Sequence, residues 1–95
     1  MEVCQSTKVA TSDGDTAVTT GKSVVYGFAI HADGTNDVTV DIEDGTTDII
    51  TCTFDTSVQG TVYIYECPAP VKVTGGINVT VTGTNGYIWL FYKNS

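Results

Sequence analysis

Ninety-five residues make one domain, a size that buries roughly 60–65% of the surface its unfolded chain would expose. Seventeen Thr and thirteen Val stand against one Leu, one Met and five Ala, a composition that excludes a helical protein and predicts an all-β one. Four Lys, no Arg and eleven acids leave a net charge of −7, which excludes a phosphate-reading surface for nucleic acid and fits a solvated face or a basic partner.

Residues 1–22 are polar and Ser/Thr-rich, with Val3, Val9 and Val18 as their only large aliphatics. They read as a segment distinct from the sandwich domain at 23–95, forming an edge strand around Val3–Ala10 and a turn at Asp13-Gly14-Asp15. The alternative is an arm towards a neighbouring subunit, since 22 extended residues span roughly 70–80 Å. Met1-Glu2-Val3-Cys4-Gln5 has neither a basic nor an apolar run, so no signal peptide is expected.

From Ser23 the pattern alternates. Val24, Tyr26, Phe28, Ile30 and Ala32 are predicted to face inward; Ser23, Val25, Gly27, Ala29 and His31 form a second face of small residues that lets something approach closely. His31, the single histidine, has no catalytic pattern around it and reads as a structural or surface side chain. After a loop at Ala32–Asn36, Val38, Val40 and Ile42 alternate with polar residues as a half-buried strand. A two-residue turn at Asp44-Gly45 would set Asp41 opposite Asp48, so a longer turn is predicted, pairing Val40 with Ile50 and Val38 with Cys52. Ile50, Cys52 and Phe54 continue the inward set.

Six of the eleven acids fall between Asp33 and Asp48. Asp33–Asp37 lacks the residue order of a calcium loop. The pair Asp41 and Glu43 lacks the cleft a glycosidase needs. A solvated strand face is the simpler account, so no metal, cofactor or catalytic residue is assigned. Asn78-Val79-Thr80 is formally a glycosylation acceptor, a chance match expected in a Thr-rich chain without a signal peptide.

Beyond a loop at Asp55–Gly60, Val62 and Ile64 are predicted to face inward, leaving Tyr63 and Tyr65 on the opposite face. Pro68-Ala69-Pro70 is predicted to end this strand. Short strands follow at Val71–Thr74 and Ile77–Thr82. Cys4, Cys52 and Cys67 are odd in number and contain no C-x-x-C, so neither a disulfide framework nor a zinc site is expected. A Cys52–Cys67 bridge would require a two-residue turn at Gln59-Gly60; reduced cysteines are the preferred reading.

The final stretch, Tyr87-Ile88-Trp89-Leu90-Phe91-Tyr92, carries six large residues in a row, too few for a membrane span of about 20 and rich in strand-favouring types. Asn85-Gly86 before it predicts a two-residue hairpin turn. That turn would place Val81 opposite Leu90 and Val79 opposite Tyr92 inward, with Thr82 opposite Trp89 and Thr80 opposite Phe91 outward. The outward ring set Tyr87, Trp89 and Phe91 offers roughly 450–750 Å², at or above the apolar patch a monomer tolerates. Its cover is the chain's own N-terminal segment or a loop, a second subunit, or a sugar stacked on Trp89. The candidate interface is therefore Tyr87, Trp89 and Phe91, with Tyr63 and Tyr65.

Seven or eight short strands with regular turn signals describe a two-sheet β-sandwich, with a jelly roll favoured over an immunoglobulin-like order. The acidic Thr/Val/Gly-rich strands, the stretch Val24–Ile42 (Val-Val-Tyr-Gly-Phe-Ala-Ile-His-Ala-Asp-Gly-Thr-Asn-Asp-Val-Thr-Val-Asp-Ile) and the aromatic last strand resemble the small all-β capsid decoration (cement) proteins of tailed bacteriophages. That resemblance implies a non-enzymatic virion protein on the capsid exterior, often a trimer, that contacts the major capsid protein. No functional residue is carried over, because the family offers no shared site pattern. The alternative is a carbohydrate-binding or adhesin-like sandwich, with Trp89 and Tyr63 or Tyr65 as a stacking platform.

Overall fold

The computed structural model describes residues 4–94. It is an all-β sandwich of two four-stranded antiparallel sheets. In chain order the elements are β1 (Gln5–Ala10), β2 (Thr16–Ala17), β3 (Ser23–His31), β4 (Val38–Asp44), β5 (Thr47–Phe54), α1 (Thr56–Gln59), β6 (Val62–Val73), β7 (Ile77–Gly83) and β8 (Tyr87–Asn94). One sheet has the order β1-β8-β3-β6 and the other β2-β7-β4-β5. The pairings β1·β8, β2·β7, β3·β6 and β4·β5 are those of one long hairpin, and β3·β8 and β4·β7 roll it into two layers.

The two layers meet over a core that is almost wholly β-branched or aromatic. Val9, Val25, Phe28, Ile30, Ile88 and Leu90 come from one sheet; Val38, Val40, Ile42, Phe54, Ile77, Val79 and Val81 come from the other. Burying each such side chain is worth about 1.5–3 kcal/mol before the entropy of ordering the chain is counted against it. The N-terminal segment adds to both layers, β1 pairing Gln5–Ala10 with Tyr92–Tyr87 and β2 pairing with Val79 and Asn78. Val3, at the start of the expected edge strand, lies outside the described residues.

Five local expectations are corrected. The Asn85-Gly86 hairpin does not form, because β7 and β8 lie in different sheets. A type I′ turn needs positive φ at both central residues, and here Asn85 has φ 53° while Gly86 does not share it. The chain crosses between layers instead, packed so tightly that a Cβ on Gly86 would lie 2.5 Å from Val38 Cγ2. The facing of single residues survives, with Leu90, Val79 and Val81 inward, but Thr80 and Thr82 sit on the far side of the molecule from Trp89 and Phe91.

In β3 the alternation breaks at a bulge between Val25 and Gly27. Phe28 and Ile30 are inward as predicted, whereas Val25 replaces Val24 and Tyr26 in the core. Gly27 is the pivot: its φ is +151°, and a Cβ there would come within 2.2 Å of the Tyr65 carbonyl oxygen.

The β4–β5 hairpin turns at Gly45-Thr46, pairing Asp44 with Thr47 and Glu43 with Asp48. A bulge past Ile42 then aligns Ile42 with Ile50, Val40 with Cys52 and Val38 with Phe54, two residues from the expected register. A two-residue shift preserves the faces, so Ile50, Cys52 and Phe54 remain on the core side.

Strand β6 runs through Pro68 and Pro70 to Val73. It is an edge strand, where a missing N–H can be tolerated, and the prolines sit where four residues of β6 bulge opposite Tyr26. Its first half is also reversed: Tyr63 and Tyr65 turn towards the core rings Phe54 and Phe28, while Val62 and Ile64 face solvent, 53% and 60% exposed.

Candidate functional site

The outer face of the β1-β8-β3-β6 sheet is built from cross-strand rows. One row reads Lys8, Trp89, Ala29, Ile64, and the next reads Ala10, Tyr87, His31, Val62. A third reads Ser6, Phe91, Gly27, Glu66. Because β3 contributes only Ala29 and Gly27 to the centre, the aromatics of β8 and the aliphatics of β6 stand as two walls over a low floor. At one end Tyr26, freed from the core by the bulge, joins Phe91, Ile64, Glu66, Cys67 and Cys4 around an open hollow of about 340 Å³.

Five large hydrophobics are exposed among the described residues, and three of them, Val62, Ile64 and Trp89, share this face. Trp89 keeps 39% of its surface in solvent. Tyr87 is already engaged: His31 stacks on it with ring centroids 4.7 Å apart and planes 8° off parallel, and Lys8 Nζ lies 4.3 Å from its centroid. A cation over an exposed ring is worth about 0.5–1 kcal/mol, so Tyr87 is held in place and Trp89 is the ring left to offer.

The structure thus brings Tyr87, Trp89 and Phe91 onto one face and turns Tyr63 and Tyr65 to the other side of β6, Tyr65 also bordering the hollow beside Phe91. Those two line a lateral opening between the sheets, where the edge strands β5 and β6 meet. Phe28 and Tyr65 stack at 5.0 Å, and Phe54 and Tyr63 lie tilted at 5.8 Å. The residues that complete the exposed face, Val62 and Ile64, were missed because alternation alone assigns the aliphatic set inward. A signal was present: an edge strand that opens β6 with Val-Tyr-Ile-Tyr can bury either set, and the larger tyrosines span the gap between sheets.

The opposite outer face, on the β2-β7-β4-β5 sheet, is polar. Its rows include Thr53, Thr39, Thr82 and Thr51, Asp41, Thr80. Thr51 donates to Asp41 Oδ1 at 3.0 Å, and Thr80 donates to Asp15 Oδ1 at 3.2 Å. Asp41, Glu43 and Asp48 bring carboxylate oxygens within 4.8 Å of one another. Desolvation, helped by the charges of Asp41, Asp48 and Asp15, pushes the Glu43 carboxyl above its ordinary value.

Other acids act as loop clasps. Asp33 accepts from the Thr35 and Asn36 backbone N–H groups, both at 2.9 Å, and from Asn36 Nδ2 at 2.8 Å, which holds its pKa down to about 2. Asp44 accepts from Gly75 N–H at 2.7 Å and Thr74 N–H at 3.2 Å, and these bonds lower its pKa too. Asp55 caps α1 through Ser57 and is likewise lowered. Cys4, Cys52 and Cys67 are all free thiols, and burial raises the pKa of Cys52 and Cys67. No helix among the described residues is long and apolar enough to cross a membrane.

Compared with known proteins, this chain matches no family model, no curated protein and no solved structure.

Proposed function

We propose that this chain is a non-enzymatic structural protein that works by contact, with the outer face of the β1-β8-β3-β6 sheet as its contact surface. The carrying observation is the row Trp89, Ala29, Ile64, which leaves an indole and an isoleucine in solvent beside a floor of small residues. The occupant of that face is a second copy of the chain, in a closed assembly of three. On this reading the protein is a capsid decoration protein on the virion exterior, and the major capsid protein is its second partner. The jelly-roll reading of the fold belongs to the same proposal. Support for it comes from the order β1-β8-β3-β6 over β2-β7-β4-β5, in which strands one to four pair with eight to five.

The energy scale is adequate for a modest oligomer. Covering about 500 Å² of apolar surface at roughly 25 cal/mol per Å² is worth on the order of 12 kcal/mol gross, much of it offset by association entropy and side-chain ordering. A carbohydrate platform is the weaker reading. Its expected partners for Trp89, the half-exposed Tyr63 and the partly buried Tyr65, turn to the opposite side of β6 and cannot share one flat platform with it, and Tyr87 is already stacked on His31.

Light scattering on a sizing column, at two protein concentrations, tests the proposal. The expected mass is three times the 10.0 kDa of one chain, reduced to the monomer by combining Trp89→Ser with Ile64→Ser. A wild-type mass of one chain at both concentrations contradicts the self-assembly, and saturable binding of the monomer to immobilised oligosaccharide would favour the platform.

A further inference from the structure

The sandwich is not closed along the side where the edge strands β5 and β6 face each other. A cleft of about 130 Å³ enters there between the sheets, on the inner side of β6 and so remote from Ile64 and Trp89. Tyr63 and Tyr65 stand at its opening with the buried Phe54 and Phe28 packed behind them, and Cys52, Thr53 and Gln59 border it.

Each part of this lining constrains an occupant. A sealed apolar cavity of about 150 Å³ takes up benzene, and this cleft, open to solvent on one side, offers comparable room. The walls are planar rings in offset and tilted pairs, the arrangement that accepts one more ring edge-on or offset. Cys52 is a small apolar thiol in this setting. Gln59 supplies a polar group at the mouth, beside Thr53: its Oε1 accepts from Asp55 N–H at 3.1 Å, which leaves the amide NH₂ to donate. A few polar groups at the rim of an aromatic slot favour a small ring that carries an oxygen.

We propose that the cleft between β5 and β6 binds a small single-ring phenol, its ring against Tyr63 and Tyr65, in front of the buried Phe54 and Phe28, and its oxygen on the Gln59 amide. A fused two-ring molecule exceeds the space. The site opens on the opposite side of β6 from Ile64 and Trp89, and Tyr65 is the one residue that borders both it and the hollow beside Phe91.

The probe is p-cresol, added to the full chain while the three free thiols react with iodoacetamide and each is followed by peptide mass. Cys4 and Cys67 lie outside the cleft and serve as internal references. Saturable slowing of Cys52 by about threefold or more at millimolar p-cresol is expected, with Cys4 and Cys67 unchanged and 2-naphthol without effect. A saturable NMR shift of the Ile30 methyls, which also line the cleft, with the Trp89 indole signal unmoved, is the second expected reading. Gln59→Ala, at an exposed helix position, should bring p-cresol down to the affinity of toluene. Absence of slowing, equal slowing of all three thiols, or equal protection by 2-naphthol overturns the proposal.

Discussion

On the β2-β7-β4-β5 sheet the outward positions of successive rows are Thr53, Thr39, Thr82 and Thr51, Asp41, Thr80, whereas the β1-β8-β3-β6 sheet presents Lys8, Trp89, Ala29, Ile64 and Ala10, Tyr87, His31, Val62. Both faces cover the same core from opposite sides, so packing inside does not dictate the difference. A threonine ladder with acids satisfies water and resists edge or face association. The other face does neither. Three of the four lysines, Lys8, Lys72 and Lys93, also lie on strands of the aromatic sheet, while Asp41, Glu43 and Asp48 belong to strands of the threonine sheet. One face is finished for solvent, and the other leaves Trp89, Ile64 and Val62 exposed.

The comparison breaks first at the core beneath it. Leu90 is fully buried between two outward rings of the same strand, so Leu90→Ala should cost about 2–5 kcal/mol by denaturant titration. Trp89→Ser, one residue away on the other side of the strand, should cost no more than about 1 kcal/mol. If the two costs are alike, Trp89 is a core residue and the faces are wrongly assigned. Gly27→Ala is next: positive φ alone is worth roughly 1–3 kcal/mol, and the contact with the Tyr65 carbonyl adds to it. A Gly27→Ala protein with unchanged stability would mean the bulge does not set which β3 residues face out.

Smaller effects sharpen the polar side. Asp33, Asp44 and Asp55 have carboxyls held below their ordinary value by hydrogen bonds that the folded loops supply. A depressed folded pKa stabilises above the ordinary value near 3.8 and is lost as pH falls through it towards about 2. Thermal melts should therefore drop between pH 5 and pH 2, and Asp33→Asn should flatten part of that slope. Glu43 has the opposite sign. Its raised folded pKa means the ionised form is disfavoured in the fold, so Glu43→Gln should raise the melting temperature slightly at pH 7, and the gain should vanish below the ordinary value of 4.5. A gain that persists at pH 3 would point to packing instead of charge.

How much of this was legible in the residues depends on range. The sandwich, the inward Val38, Val40 and Ile42, and the outward Trp89 follow from composition and alternation, which are local. The partner of each strand does not. Asn85-Gly86 carries the strongest short hairpin pattern in the chain, yet the value of placing Tyr87–Asn94 beside both β1 and β3 outweighs a local turn, and the chain crosses layers. Bulges at Gly27 and past Ile42 are invisible to a period-two count, because one extra residue flips or shifts everything beyond it. The exposed site was therefore half readable: β8 gave Tyr87, Trp89 and Phe91, while Ile64 and Val62 emerged only from the sheet that places them beside Ala29 and His31.

Trp89 is the single tryptophan, so its fluorescence reports on one place, and that place is the proposed contact face. Acrylamide quenching of Trp89 across a wide range of protein concentration, with mass followed in parallel, addresses the central claim most directly. Quenching should fall and emission should shift to shorter wavelength as the mass rises to the oligomer. Quenching that stays constant at every concentration, with the mass fixed at one chain or rising without it, would show that this face is not where copies meet.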